Sequence, residues 1–143
     1  MKFDYQCNFN LQDCIKTLGL DEKGRVQQVV TNAVLELSEP YIPFEEGALM
    51  ASGHIENGTD IVWNTPYAWY MWNGIVYEDP VLHCAGFQTE NGWRSRKDVQ
   101  KVPTDRELQY HNGALRGKRW VDRMMQNGGR DKIEQMARKA AGE

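Results

Sequence analysis

From Val26 to Leu37 the apolar residues Val26, Val29, Val30, Ala33, Val34 and Leu37 recur at helical spacing, and Pro40 closes the run. A stripe that wide has to bury against a partner, and proline lacks the amide a continuing helix would need. Asp21 is the expected N-cap of this helix. Upstream, Leu11, Ile15 and Leu18 predict a shorter helix capped by Asn10 and stopped by Gly19.

Past Pro40 the period changes. Tyr41 to Gly47 is turn-rich, and Ala48 to Glu56, Asn57-Gly58 and Thr59 to Asn64 predict two short strands around a type I′ turn. Thr65-Pro66 to Gly74 holds an aromatic run between a proline and a glycine, which suits a helical turn or two. Ile75 to Tyr77 and Val81 to Cys84 are expected strand pieces, and Asn91-Gly92 is an expected hairpin between Phe87 and Trp93. Residues 94–113 carry too few apolar side chains for a core element and are expected to form a long loop or arm. Leu115 to Ala141 is helical in composition, with Asn127-Gly128-Gly129 interrupting it. The expected fold is α+β, a small antiparallel sheet packed against N-terminal and C-terminal helices, in one domain spanning residues 1–143.

The charges are segregated along the chain. Between Arg25 and Arg94 there is no Lys or Arg, while nine acidic residues fall there; from Arg94 onward thirteen basic residues face seven acidic ones. If the fold sets these segments on different faces, like subunits can meet head to tail, and such contacts close into rings or run on as filaments. The opposing expectation, equally weighted, is that the charges neutralise each other across one surface.

Catalytic signals are missing. His54, His83 and His111 stand in no metal-binding spacing, and the adjacent His83 and Cys84 would point to opposite faces of a strand. No nucleophile elbow, P-loop or dinucleotide fingerprint occurs. The expected site has no catalytic, cofactor-binding or metal residues, and a Cys84 nucleophile is the weakest of the alternatives. Cys7, Cys14 and Cys84 are expected to be free thiols in a reducing compartment. No apolar run approaches the roughly 18 residues of a membrane helix and no signal-peptide core opens the chain, so a soluble intracellular protein with no membrane partner is expected.

Six aromatics, Trp63, Tyr67, Trp69, Tyr70, Trp72 and Tyr77, fall within fifteen residues. So many are hard to bury in a small domain. Tyr67, Tyr70 and Trp63 are expected in the core, with Trp69 and Trp72 partly exposed. A small nucleic-acid-binding or packaging accessory protein, working through the basic C-terminal half, is the alternative reading, although the aromatics lie in the acidic stretch.

The order Tyr41-x-Pro43-x-x-x-Gly47-x-Leu49-x-x-Ser52, then Tyr67-Ala68-x-Tyr70-x-x-x-Gly74-x-Val76-Tyr77, then Leu108-x-Tyr110 and a helix bearing Trp120 resembles the minor capsid proteins of tailed bacteriophages and prophages. These are similar to the wider family of phage neck (head-tail connector) and tail-completion proteins. Glu46, where the wider family usually has Thr, and Asn73, where an acidic residue is usual nearby, both point to the minor capsid branch. The resemblance implies a structural virion protein, assembled in the host bacterial cytoplasm as a homo-oligomeric ring, a hexamer, at the neck. It implies portal or adaptor and tail proteins as further partners, and DNA only as the passing genome. It also implies turn-shaping roles for Tyr41, Pro43, Gly47 and Leu49, and for Tyr67, Ala68, Tyr70 and Gly74. Trp69, Trp72, Glu45, Glu46, Arg94, Arg96 and Lys97 are the expected subunit or partner interface.

Overall fold

The computed structural model describes residues 10–21 and 24–142; Cys7 lies outside them. Helix α1 (Leu11–Thr17) starts where the Asn10 side chain accepts a hydrogen bond from the Gln12 amide, and Gly19 closes the turn after it at φ +68°. Helix α2 (Arg25–Ser38) is the wide-stripe helix, followed by a 3-10 turn, Glu39–Tyr41, that takes in Pro40. Its N-cap is Gly24, without any side-chain bond, and not Asp21. Asp21 contributes its backbone carbonyl, which accepts from the Gly24 amide.

The expected strand from Ala48 to Glu56 divides in two. Gly47, at φ +82°, starts the single-turn helix α3 (Ala48–Ala51), and only His54–Glu56 is strand β1. It pairs antiparallel with β2 (Asp60–Val62) through a turn in which Asn57 and Gly58 both have positive φ, as a type I′ turn requires. Helix α4 (Ala68–Asn73) ends at Gly74 in the left-handed conformation, and β3 (Ile75–Glu78) follows at once.

Strand β3 pairs antiparallel with β6 (Val102–Glu107), from Ile75 opposite Glu107 to Glu78 opposite Val102, with a bulge near Val76. That pairing corrects the reading of 94–113 as a loop: residues 102–107 are strand, and the true excursion is 79–101 between the two partners. Residues 81–84 are turn and not strand, with His83 at φ +51°. The excursion carries its own hairpin, β4 (Phe87–Thr89) with β5 (Gly92–Arg94), where Gly92 takes φ +92°. Among the described residues the six strands thus form three separate two-stranded antiparallel ladders.

Helix α5 (Trp120–Met124) and helix α6 (Arg130–Ala141) are joined by a kink at which Asn127 and Gly128 leave helical geometry. The kink folds α6 back along α2. Two apolar clusters result. One gathers Ile42, Leu49, Ala68 and Trp120; the other gathers Ala33, Met124 and Ile133. Tyr41 and Val121 pack against both and join them. Among the described residues no helix is long and apolar enough to cross a membrane.

Candidate functional site

The turn after α2 is built by Pro43, which is buried, and by Gly47, whose absent side chain leaves room for the Phe44 ring; a Cβ there would sit 2.9 Å from Cε2 of that ring. Seventy residues later the chain returns from β6 and is stitched onto this turn. Asn112 Nδ2 donates to the Phe44 carbonyl at 2.8 Å, and Arg116 Nη1 donates to the carbonyls of Ile42 at 2.6 Å and Glu39 at 3.1 Å. The Gly117 amide donates to the Tyr41 carbonyl at 3.1 Å, and the Arg116 guanidinium stacks over Phe44. Charged donors on backbone carbonyls are the stronger kind of hydrogen bond, so the two segments hold each other.

Between them lies a groove of about 850 Å³, with Leu49 and Met71 beside Phe44, Tyr67, Trp93 and Tyr110. Glu45 and Glu46 stand on its rim. The Tyr110 hydroxyl donates to the Met71 carbonyl at 2.7 Å, and burial, with the Glu107 charge adding to it, pushes its pKa up to about 12. A raised folded pKa means that this stabilisation is complete below the ordinary tyrosine value near 10 and is lost as pH climbs towards about 12. A tyrosine ionising near pH 12 in an ultraviolet titration is expected to disappear in Tyr110→Phe; an unchanged titration curve would contradict the buried hydroxyl.

The excursion 79–101 is closed at its base by Asp79. One Asp79 oxygen accepts from the Val81 amide at 2.8 Å and the Leu82 amide at 3.0 Å, and both oxygens take the Arg96 guanidinium at 2.6 Å. The Arg96 hydrogen bonds hold the Asp79 carboxyl well below the usual carboxylate range. The linkage has the usual carboxylate sign: the clasp is intact above the ordinary aspartate pKa and weakens only in strong acid. Beyond it, Val81 and Trp93 are 67% and 64% exposed, and Leu82 and Phe87 are exposed as well.

The sequence-predicted interface residues separate into different places. Trp69 is 58% exposed, its ring edge-on to Tyr70 and Tyr77. Trp72 points the other way, edge-on to buried Trp120 at 4.8 Å with Arg119 over its ring. Arg94 and Lys97 are exposed at the foot of the hairpin without a carboxylate partner among the described residues, whereas Arg96 is the clasp. Glu45 and Glu46 share the groove with Trp93. Tyr67, expected in the core, is 42% exposed on the groove wall, while Tyr70 and Trp63 are partly buried. Sequence reasoning missed Asp79, Arg116 and Trp93. Asp79-Pro80 is a turn signal in which the carboxylate takes amides two and three residues on; nothing local announces Arg116.

The segregated charges neutralise only in part. Glu78 pairs with Arg106 at 2.6 Å and Asp79 with Arg96, both across the β3–β6 excursion. Glu36, Glu39, Glu45, Glu46 and Glu90 have no ion partner among the described residues. Among those residues no three His, Cys, Asp or Glu side chains are grouped to hold a metal ion, and Cys14 and Cys84 are free thiols. A family model described as minor capsid protein matches residues 7–141. No curated protein and no solved structure matches the chain.

Proposed function

Because this chain belongs to the minor capsid protein family, whose members are structural parts of the phage virion, we propose that it is a head-tail connector or tail-completion subunit working in a ring of identical copies at the neck. The observation that carries the reading is how much large apolar surface the isolated chain leaves open: Trp69, Val81, Leu82, Phe87 and Trp93 are all exposed. Val81 and Leu82 adjoin in the chain, and large apolar side chains grouped on the surface of a small protein mark a place where other proteins bind. The groove, which Trp93 also lines, adds a receiving surface whose lining residues carry Glu45 and Glu46 and no Lys or Arg. A ring of six copies, with portal or adaptor and tail proteins above and below and the genome merely passing through, is the assembly this reading specifies.

Electron microscopy of a lysate from a phage lacking only this gene tests it. Filled heads and finished tails lying apart are expected. Normally joined particles would refute the connector role, and empty heads alone would move the protein to genome packaging.

A further inference from the structure

A ring of identical subunits needs two different patches on each copy, one that gives and one that receives. The groove has the character of a receiver. Its volume, about 850 Å³, accommodates one row of side chains from a docked segment. Its rim carries Glu45 and Glu46, both exposed and without an ion partner among the described residues.

The complementary patch lies on α6. Ile133, Ala137 and Ala140 turn inwards on this helix, which packs along α2. On the outward face Lys132, Met136 and Lys139 follow one another at i, i+4 and i+7, a single stripe. Met136 is 40% exposed, and both lysines are exposed with no carboxylate partner among the described residues. An apolar side chain between two cations matches an apolar groove with two anions at its lip.

The Lys139 end of the stripe cannot reach the groove of its own chain. Arg25 Nε donates to the Ala140 carbonyl at 2.9 Å, which fixes the Lys139 end of α6 at the start of α2. The groove turn begins at Tyr41, past the far end of that 14-residue helix, about 20 Å away at 1.5 Å per residue. Resting on the ring proposed above, we infer that the α6 stripe of one copy docks in the groove of the next, Met136 entering between the apolar walls and Lys132 and Lys139 pairing with Glu45 and Glu46.

Charge reversal tests this. Glu45→Lys with Glu46→Lys makes groove and stripe both basic; Lys132→Glu with Lys139→Glu makes both acidic. All four side chains are exposed, and circular dichroism checks that each variant folds. By light scattering at low salt, wild type is expected to assemble and to come apart as salt rises. Each variant alone should associate at least tenfold more weakly, while an equimolar mixture regains wild-type association because every groove then finds an oppositely charged stripe. A wild-type ring with either variant assembling unimpaired, or with no rescue on mixing, overturns this docking and leaves the ring reading intact. A wild-type chain monomeric at every concentration and salt overturns both.

Discussion

Trp120→Ala is expected to remove about 3–5 kcal/mol of folding stability, a large share of the roughly 5–15 kcal/mol that holds a domain of this size together. Trp120 is 2% exposed and lies where the first cluster is assembled from distant parts of the chain: Ile42, Leu49 and Ala68 surround it, and the rings of Trp63 and Trp72 meet it edge-on at 5.5 and 4.8 Å. Alanine would leave a cavity bounded by two rings that have no other stacking partner of that kind among the described residues. The indole Nε1 has no hydrogen-bond partner among the described residues, so the loss is one of packing, and Trp120→Phe should cost clearly less than alanine. Urea unfolding of the three proteins decides this. A loss in Trp120→Ala below about 1 kcal/mol, the size of an ordinary substitution, would show that the cluster does not organise the fold.

Gly129→Ala is the second large effect. Gly129 is buried at the α5–α6 kink with an ordinary helical backbone, φ −63°, so the cost there is one of space. A Cβ would run into Met124 Sδ and come within 2.5 Å of the Met124 carbonyl oxygen. Met124, 1% exposed, is the residue that fills the gap between Ala33 on α2 and Ile133 on α6. Overpacking of this kind costs about 1–3 kcal/mol, and the strain should act on the seating of α6 against α2. Gly92→Ala is the comparison: its Cβ meets nothing within 4 Å, and the change is strained only by φ +92°. Thermal unfolding should drop further for Gly129→Ala, and hydrogen exchange in α6 should speed up only in that variant. Equal behaviour of the two would remove the steric argument.

Several elements were readable from local signals alone. The stripe from Val26 to Leu37, ended before Pro40, gives α2; Asn57-Gly58 gives the first hairpin because both positions need positive φ; Asn127-Gly128-Gly129 marks the break before α6. The errors also have physical causes. Ala48–Ala51 is too short to show any period, so nothing local separates α3 from the strand that follows it. Strand β6, Val-Pro-Thr-Asp-Arg-Glu, has no apolar alternation and is held by its backbone pairing with β3 and by the Thr104 hydroxyl donating to the Val76 carbonyl. Polar strands of this sort look like loops until their partner is known.

The motif residues show the same division. Gly47 and Gly74 are read correctly as turn-makers, each in the left-handed conformation. That Tyr110 donates to Met71, or that Arg116 and Asn112 tie down the turn at 39–44, joins residues 39 to 77 positions apart and has no trace in any local window.

Helices with a clean stripe, turns that demand glycine or asparagine, the α+β class and the family were legible in the chain, because these depend on backbone preferences within a few residues or on the order of such signals. Three-dimensional packing was needed to see that Trp69 faces solvent while Trp72 faces Trp120, that Arg96 closes a clasp on Asp79, and that Glu45 and Glu46 rim an apolar groove. Burial and pairing are properties of segments that meet in space. Which segments meet is settled by how the whole chain packs its two small clusters.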